Sequence, residues 1–272
     1  MLIELSGILV VIGLVMLVVG IFIARQYTLR AKLLTAFLMI VMMSLGMLTL
    51  LESRIMEKAL SKSAQKSLTS ASRQYANKLD EFNRANLIAI KVEAGLSPIV
   101  EYAVEENRYS QKDMQEFLRA LQAKQNSQIS SYAILTASGI NISDTESELS
   151  GTDESSQPYF QQAIKNKGAY HSPVIFEDGK PASLYFSSPI LDKNDLVVGV
   201  LRAQYKAEVL TQLIWRARGL AGQGSFAMLV DENLLRLVHG RRKDLQYTLA
   251  TNIDNSKYEA LRQSKRLPSV IS

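Results

Sequence analysis

The chain has 272 residues, 47% of them hydrophobic and 21% charged, which fits neither a disordered chain nor a purely soluble one. Its net charge is +5, and from Arg54 onward the basic residues are scattered among acidic ones, without the aromatic-interleaved basic stripe of a nucleic-acid binder. There is no cysteine, so disulfides, thiolate metal sites and a cysteine nucleophile are all excluded.

The apolar excess is concentrated in the first fifty residues. Leu5 to Ala24 (LSGILVVIGLVMLVVGIFIA) and Leu33 to Leu51 (LLTAFLMIVMMSLGMLTLL) are uncharged runs. At 1.5 Å per residue, each is long enough as a helix to cross a bilayer core of roughly 30 Å. A signal peptide needs a positive n-region, and the only ionisable side chain before the first run is Glu4. Two transmembrane helices are therefore expected, at 1–24 and 33–51. The 25–32 link carries Arg25, Arg30 and Lys32 and no acidic residue, which assigns it to the cytoplasm and both chain ends to the outside.

Between Ser53 and Leu96 there is no proline, and the only glycine is Gly95. Leu60, Ala64, Leu68, Ala71, Tyr75, Leu79, Phe82, Asn86 and Ile90 follow a 4, 4, 3 spacing, an eleven-residue period that keeps the stripe on one face of a nearly straight helix. A long helix over 52–97 is expected. Its stripe packs on its own domain, on a second copy to form a homodimer, or on both. Gly95 and Pro98 end it. A shorter amphipathic helix follows, with Ser110 as N-cap, Asp113 at N3, and Phe117, Leu118 and Leu121 on its apolar face.

The period then changes to two. Ser131 to Thr136 and Ile140 to Ser143 read as strands about the turn Ala137-Ser138-Gly139. Pro158 suits the first position of a short helix continuing to Lys165. Ala169 to Glu177, Ser183 to Leu191 and Leu196 to Tyr205 read as strands in sequential hairpins, so the sheet is antiparallel. A helix over Ala207 to Arg218 and a strand pair, Gly224 to Asp231 with Leu234 to His239, complete an α+β chain.

The segments YAILTASGINISDT, GTDESSQPYFQQAI and GAYHSPVIFEDGKPASLYFSSPILDKNDLVVGVLRAQYKAEVL, at this order and spacing, resemble the membrane-distal module of a double Cache sensor domain. GSFAMLVDENLLRLVHG resembles the opening of the membrane-proximal module. The resemblance implies a PAS-like sheet in a distal module at 98–218 and an incomplete proximal module at 219–272. It also implies a pocket closed by the loops and short helix around Pro158, for an organic acid, amine, amino acid or other small metabolite. Residues after Gly240 show no further clear hairpin, and the segment 224–272 is expected to be partly disordered. No enzymatic constellation and no output domain is recognisable, and no cofactor is expected.

The pocket residues this reading selects are Gln157, Tyr159, Tyr185, Ser187, Arg202 and Gln204. Strand alternation puts Tyr185 with Ser187, and Arg202 with Gln204, on common faces. Arg202 is the only charge within Leu196 to Ala203, so it meets an anion or lies on a solvated face. In the amino-acid-binding branch of the family the short helix opens with an arginine and the last strand carries an acid. Gln157 and Gln204 stand there, which disfavours an amino-acid ligand and leaves a different ligand, or none. Asp153 and Glu154 read as loop carboxylates offsetting a helix dipole, Asn141-Ile142-Ser143 as a chance glycosylation pattern, and His171 and His239 as too isolated for a metal. The competing reading is a membrane-anchored scaffold that dimerises through its long helix, or a relic receptor without ligand.

Overall fold

The structure, a computed structural model, describes residue 13 and residues 28–105, 108–124, 128–215, 219 and 221–268. It divides into two compact units, Met1–Leu68 and Thr69–Ser272. The first expected transmembrane run, apart from Gly13, lies outside the described residues. The second run and the long helix are one element: α1, Leu29–Ala94, is uninterrupted over 66 residues. It is the one described helix long and apolar enough to cross a membrane. Phe37, Leu38, Met42 and Met43 are all exposed on it.

In the second unit α1 is followed by α2 (Ser97–Val104) and α3 (Gln111–Lys124). The expected cap is present, with Asp113 N donating to Ser110 Oγ at 3.1 Å. Then come β1 (Ile129–Thr136), β2 (Asn141–Asp144), α4 (Pro158–Asn166), β3 (Tyr170–His171), β4 (Ser183–Leu191) and β5 (Val197–Lys206). The five strands form one antiparallel sheet in the order β2-β1-β5-β4-β3. The expected Ala169–Glu177 strand is reduced to two residues and one bridge, Ile175 to Ser183. Pro173 interrupts it because proline has no N–H to give a ladder.

Both faces of this sheet are covered. Tyr132, Ile134, Leu184, Phe186, Leu201, Ala203 and Tyr205 join the core with Tyr75, Ile90 and Ala94 of α1 and with α2 and α3. Phe82, Phe186 and Tyr205 meet edge to face with centroids 5.2–5.9 Å apart. Asn86, the polar break in the stripe, accepts the Tyr205 hydroxyl at 2.6 Å, so it is a deliberate anchor of helix to sheet. The stripe thus packs on its own domain from Ala71 onward, while Leu60 and Leu68 are 70% and 52% exposed. The opposite face buries Ala133, Leu135, Tyr185 and Val200 against Tyr159, Phe160 and Ala163 of α4.

After α5 (Glu208–Trp215), the strands β6 (Met228–Val230) and β7 (Arg236–His239) form a two-stranded sheet. Residues 216–218 of the helix expected to reach Arg218 lie outside the described residues. The described residues of the 224–272 segment, 224–268, are folded, contrary to expectation, and so is the part beyond Gly240. It contains a short 3-10 turn, Lys243–Leu245, and α6, Asn255–Gln263, capped by Asp254. Its polar sequence hid the reason: backbone pairing of Tyr247, Thr248 and Ala250 with Arg236 and Leu234 extends the small sheet. Lys265 O accepts from Phe176 N at 2.9 Å, and Leu267 is buried at 3% exposure.

Leu267→Ala separates the two possibilities for this tail. If it packs as described, the change lowers unfolding stability by about 2–5 kcal/mol, the usual loss for truncating a buried leucine; a detached tail leaves the urea midpoint unchanged.

Candidate ligand-binding site

The sheet face beneath α4 gathers most of the selected residues. Antiparallel register sets Tyr185 opposite Gln204 and Ser187 opposite Arg202, so four of the six form one block on β4 and β5. Tyr159 covers it from α4, with its ring stacked on Tyr185 at 4.4 Å and its carbonyl accepting from Ser187 Oγ at 2.8 Å. Gln157 stands at the N-cap of α4, half-buried. Gln204 Nε2 donates to Ser183 Oγ at 3.0 Å. Tyr159 and its neighbour Phe160 are both buried.

Arg202 meets anions, and they are the protein's own. It is 2% exposed. Its Nη2 donates to Asp144 Oδ2 at 2.9 Å and to Glu154 Oε1 at 2.9 Å, and its Nε donates to Glu154 Oε2 at 3.2 Å. Nη1 donates to Ser131 Oγ. Asn141 Nδ2 bridges both carboxylates at 2.9 and 3.0 Å, and the Tyr159 hydroxyl donates to Glu154 Oε2 at 2.7 Å. The last Asp144 oxygen accepts from Glu146 N at 2.8 Å. Every carboxylate oxygen in the cluster is therefore bonded, as burial of charge demands.

Each partner reaches the cluster for a local reason. Asp144 ends β2 on the same face as Arg202, since Ala133 pairs with both. Glu154 lies on the loop before α4, which is fixed where Glu154 N donates to Gly139 O at 2.9 Å. Gly139 has φ +93°, and a Cβ there would stand 2.6 Å from Ser155, so the loop closes on the β1–β2 turn only because that residue is glycine.

Ser131, Asn141, Asp144 and Glu154 were not selected from sequence. Glu154 is a buried counter-ion rather than a solvated helix-dipole partner, and Asn141, at 0% exposure, is no surface glycosylation acceptor. The available signal was Arg202 itself, since a guanidinium inside an apolar strand requires carboxylates nearby. Among the other groups, His171 is exposed, whereas His239 stacks on Phe226 at 4.9 Å and accepts from Arg242 N at 3.0 Å. A cleft of about 230 Å³ lies elsewhere, between Phe176 to Asp178 and Arg262, Lys265 and Leu267, where Lys265 pairs with Glu177 at 3.0 Å. No group of three or more potential metal ligands occurs among the described residues.

Burial pushes the Glu154 carboxyl up, but the Arg202 charge and the hydrogen bonds from Arg202, Tyr159 and Asn141 outweigh it and hold the group below its ordinary value of 4.5. Desolvation lowers the Arg202 pKa, and the Glu154 and Asp144 charges more than reverse it. Burial raises the Tyr159 and Tyr185 hydroxyls.

Removing the guanidinium leaves two carboxylates uncompensated, so Arg202→Met is expected to cost about 3–5 kcal/mol in urea unfolding. A depressed folded-state pKa gives stability that is present above the unfolded value and lost as pH falls through the folded one. The unfolding free energy therefore falls as pH drops below about 4.5. Glu154→Gln should flatten part of that slope. Equal slopes for the two proteins would remove Glu154 from the account.

No protein-family model matches the chain, and no curated protein matches it. Solved structures do. The Vibrio cholerae histidine kinase DctB sensor domain aligns over 77% of this chain and 78% of its own, at 13% identity and TM-score 0.57. The ligand-binding domain of the Campylobacter jejuni chemoreceptor Tlp3, in complex with 4-methylisoleucine, aligns over 76% and 78% at 17% identity and TM-score 0.52. That of the Pseudomonas fluorescens chemoreceptor CtaA, in complex with L-isoleucine, aligns over 71% and 75% at 14% identity and TM-score 0.51. With two packed faces, a five-stranded antiparallel sheet and a long leading helix, the chain has the fold of Cache-type sensor domains of bacterial receptors.

Proposed function

We propose that the chain is the sensory part of a transmembrane signal-transduction receptor and binds a small molecule outside the cytoplasmic membrane with its distal module, residues 98–218. The observation that carries this is the sheet face under α4. There Tyr159, Tyr185, Ser187 and Arg202 converge, with Gln157 and Gln204 on the same elements. Residues 219–272 supply the first part of a proximal module. The proposed role is recognition of a small molecule.

In this reading both N-terminal apolar runs cross the membrane, with 25–32 in the cytoplasm and the sheet domain outside. The receptor is a homodimer, supported by the exposed Leu60 and Leu68 of the stripe that continues below the packed part of α1. That exposure also favours the second reading, a membrane-anchored scaffold that pairs through the same helix.

The test is thermal unfolding of the full chain in detergent micelles, screened against organic acids, amines, amino acids and purines. A saturable shift from one chemical class is expected, because a ligand selective for the native state stabilises it by mass action. A well-folded dimer indifferent to every class would sink the sensory reading and leave the scaffold.

A further inference from the structure

The partners of Arg202 differ in how they are held. Asp144, Asn141 and Ser131 lie on strands β2 and β1, and Tyr159 lies on α4. Asp144 is further bound by Glu146 N and Asn141 Nδ2. Glu154 instead belongs to the connection from β2 to α4. Apart from one 3-10 turn, Ser147–Leu149, that segment belongs to no helix or strand and is held by single backbone bonds, Gly151 N to Asn141 O at 2.7 Å, Asn141 N to Thr152 O at 3.0 Å and Glu154 N to Gly139 O at 2.9 Å. Its carboxylate meets Arg202 through two donors, Nε and Nη2, the two-point grip a guanidinium makes on a free carboxylate.

We propose that Glu154 is a tethered occupant of a carboxylate site, holding the distal module closed with the chain's own side chain, and that a free carboxylate enters by taking its place on Arg202. This rests on the sensory reading and names the ligand class for the same site. The chemistry of the vacancy sets that class. Withdrawing Glu154 leaves Arg202 Nε and the Tyr159 hydroxyl without acceptors in a desolvated place, and an ammonium or an apolar group cannot satisfy them. A carboxylate satisfies them all and preserves the buried charge of one arginine against two acids. Covalent attachment gives Glu154 a high effective concentration, so a free competitor is weak until the loop is displaced.

The experiment is chemical rescue. Glu154→Ala deletes the atoms that acetate supplies, a carboxylate and the carbon attached to it. The full chain in detergent is unfolded thermally in sodium acetate, formate or propionate, and in sodium chloride at matched ionic strength. Glu154→Ala is expected to melt well below the parent and to regain about 5 °C or more with acetate, saturably, as a native-state ligand does. The parent should move by about 1 °C or less, its site being filled. Glu154→Ala combined with Arg202→Met should not respond. If Glu154→Ala is unfolded from the outset, refolding from urea replaces melting, and folding that depends on acetate rather than chloride supports the proposal.

Indifference of Glu154→Ala to all three acids in both formats overturns the proposal. So does an equal response of the parent, or a rescue that persists without Arg202. A ligand found for the parent in the broader screen, with no rescue here, would leave the sensory reading standing and remove this one.

Discussion

The placement of one arginine on the central strand constrains the whole module. Arg202 carries a charge that its surroundings cannot solvate, so β1 with Ser131, β2 with Asp144 and the following loop with Glu154 bring acceptors to it, while Asn141 of β2 and Tyr159 of α4 donate to those carboxylates. Such a cluster adds little net stability over a well-packed apolar one, because desolvation offsets the attraction. Its effect is on register. Slipping β5 by one residue would turn Arg202 into the aromatic face occupied by Phe82 and Phe186. The sheet order, the loop's close approach at Gly139 and the seating of α4 all agree with that single requirement.

What could be read in advance follows the range of the interaction. Local patterns were legible: the Ser183–Leu191 strand, the proline-started helix and the Ser110 cap all stand where turn chemistry and period placed them. Tyr185, Ser187, Arg202 and Gln204 were legible as faces because alternation is local. Their true partners were not, since Asp144 and Glu154 lie 58 and 48 residues away and no periodicity links them to β5. The tail misled for a related reason. Residues 247–250 pair through backbone groups that any sequence possesses, so their polarity announced nothing.

The second half of the sheet domain repeats the plan of the first without its charge. A hairpin, a three-residue 3-10 turn and a nine-residue helix recur in the same order: β1, β2, Ser147–Leu149 and α4, then β6, β7, Lys243–Leu245 and α6. Even the strand ends correspond. Asp144 closes β2 by accepting the backbone N–H two residues on, at 2.8 Å, and His239 closes β7 by accepting from the second and third, at 3.3 and 3.0 Å. An acidic side chain in that place reaches toward an arginine, whereas His239 stacks on Phe226 instead. The plan is therefore independent of the ion cluster, and the cluster is a local specialisation of the five-stranded sheet.

That specialisation sits on a strand packed on both of its sides. Side chains alternate along β5, so Arg202 faces the cluster while Leu201, Ala203 and Tyr205 face α1. Tyr205 grips Asn86 through its hydroxyl and Phe82 through its ring. Any displacement of β5 along its axis that accommodates a new partner for Arg202 must move Tyr205 against a helix to which it is bonded. A close-packed interface of three aromatic rings does not deform smoothly; it holds one packing or jumps to another. Coupling of this kind requires an element with two arrangements that both sites bias. The contact of β5 with α1 is where that element must be sought, since it touches the ion cluster through one side of the strand and the long helix through the other.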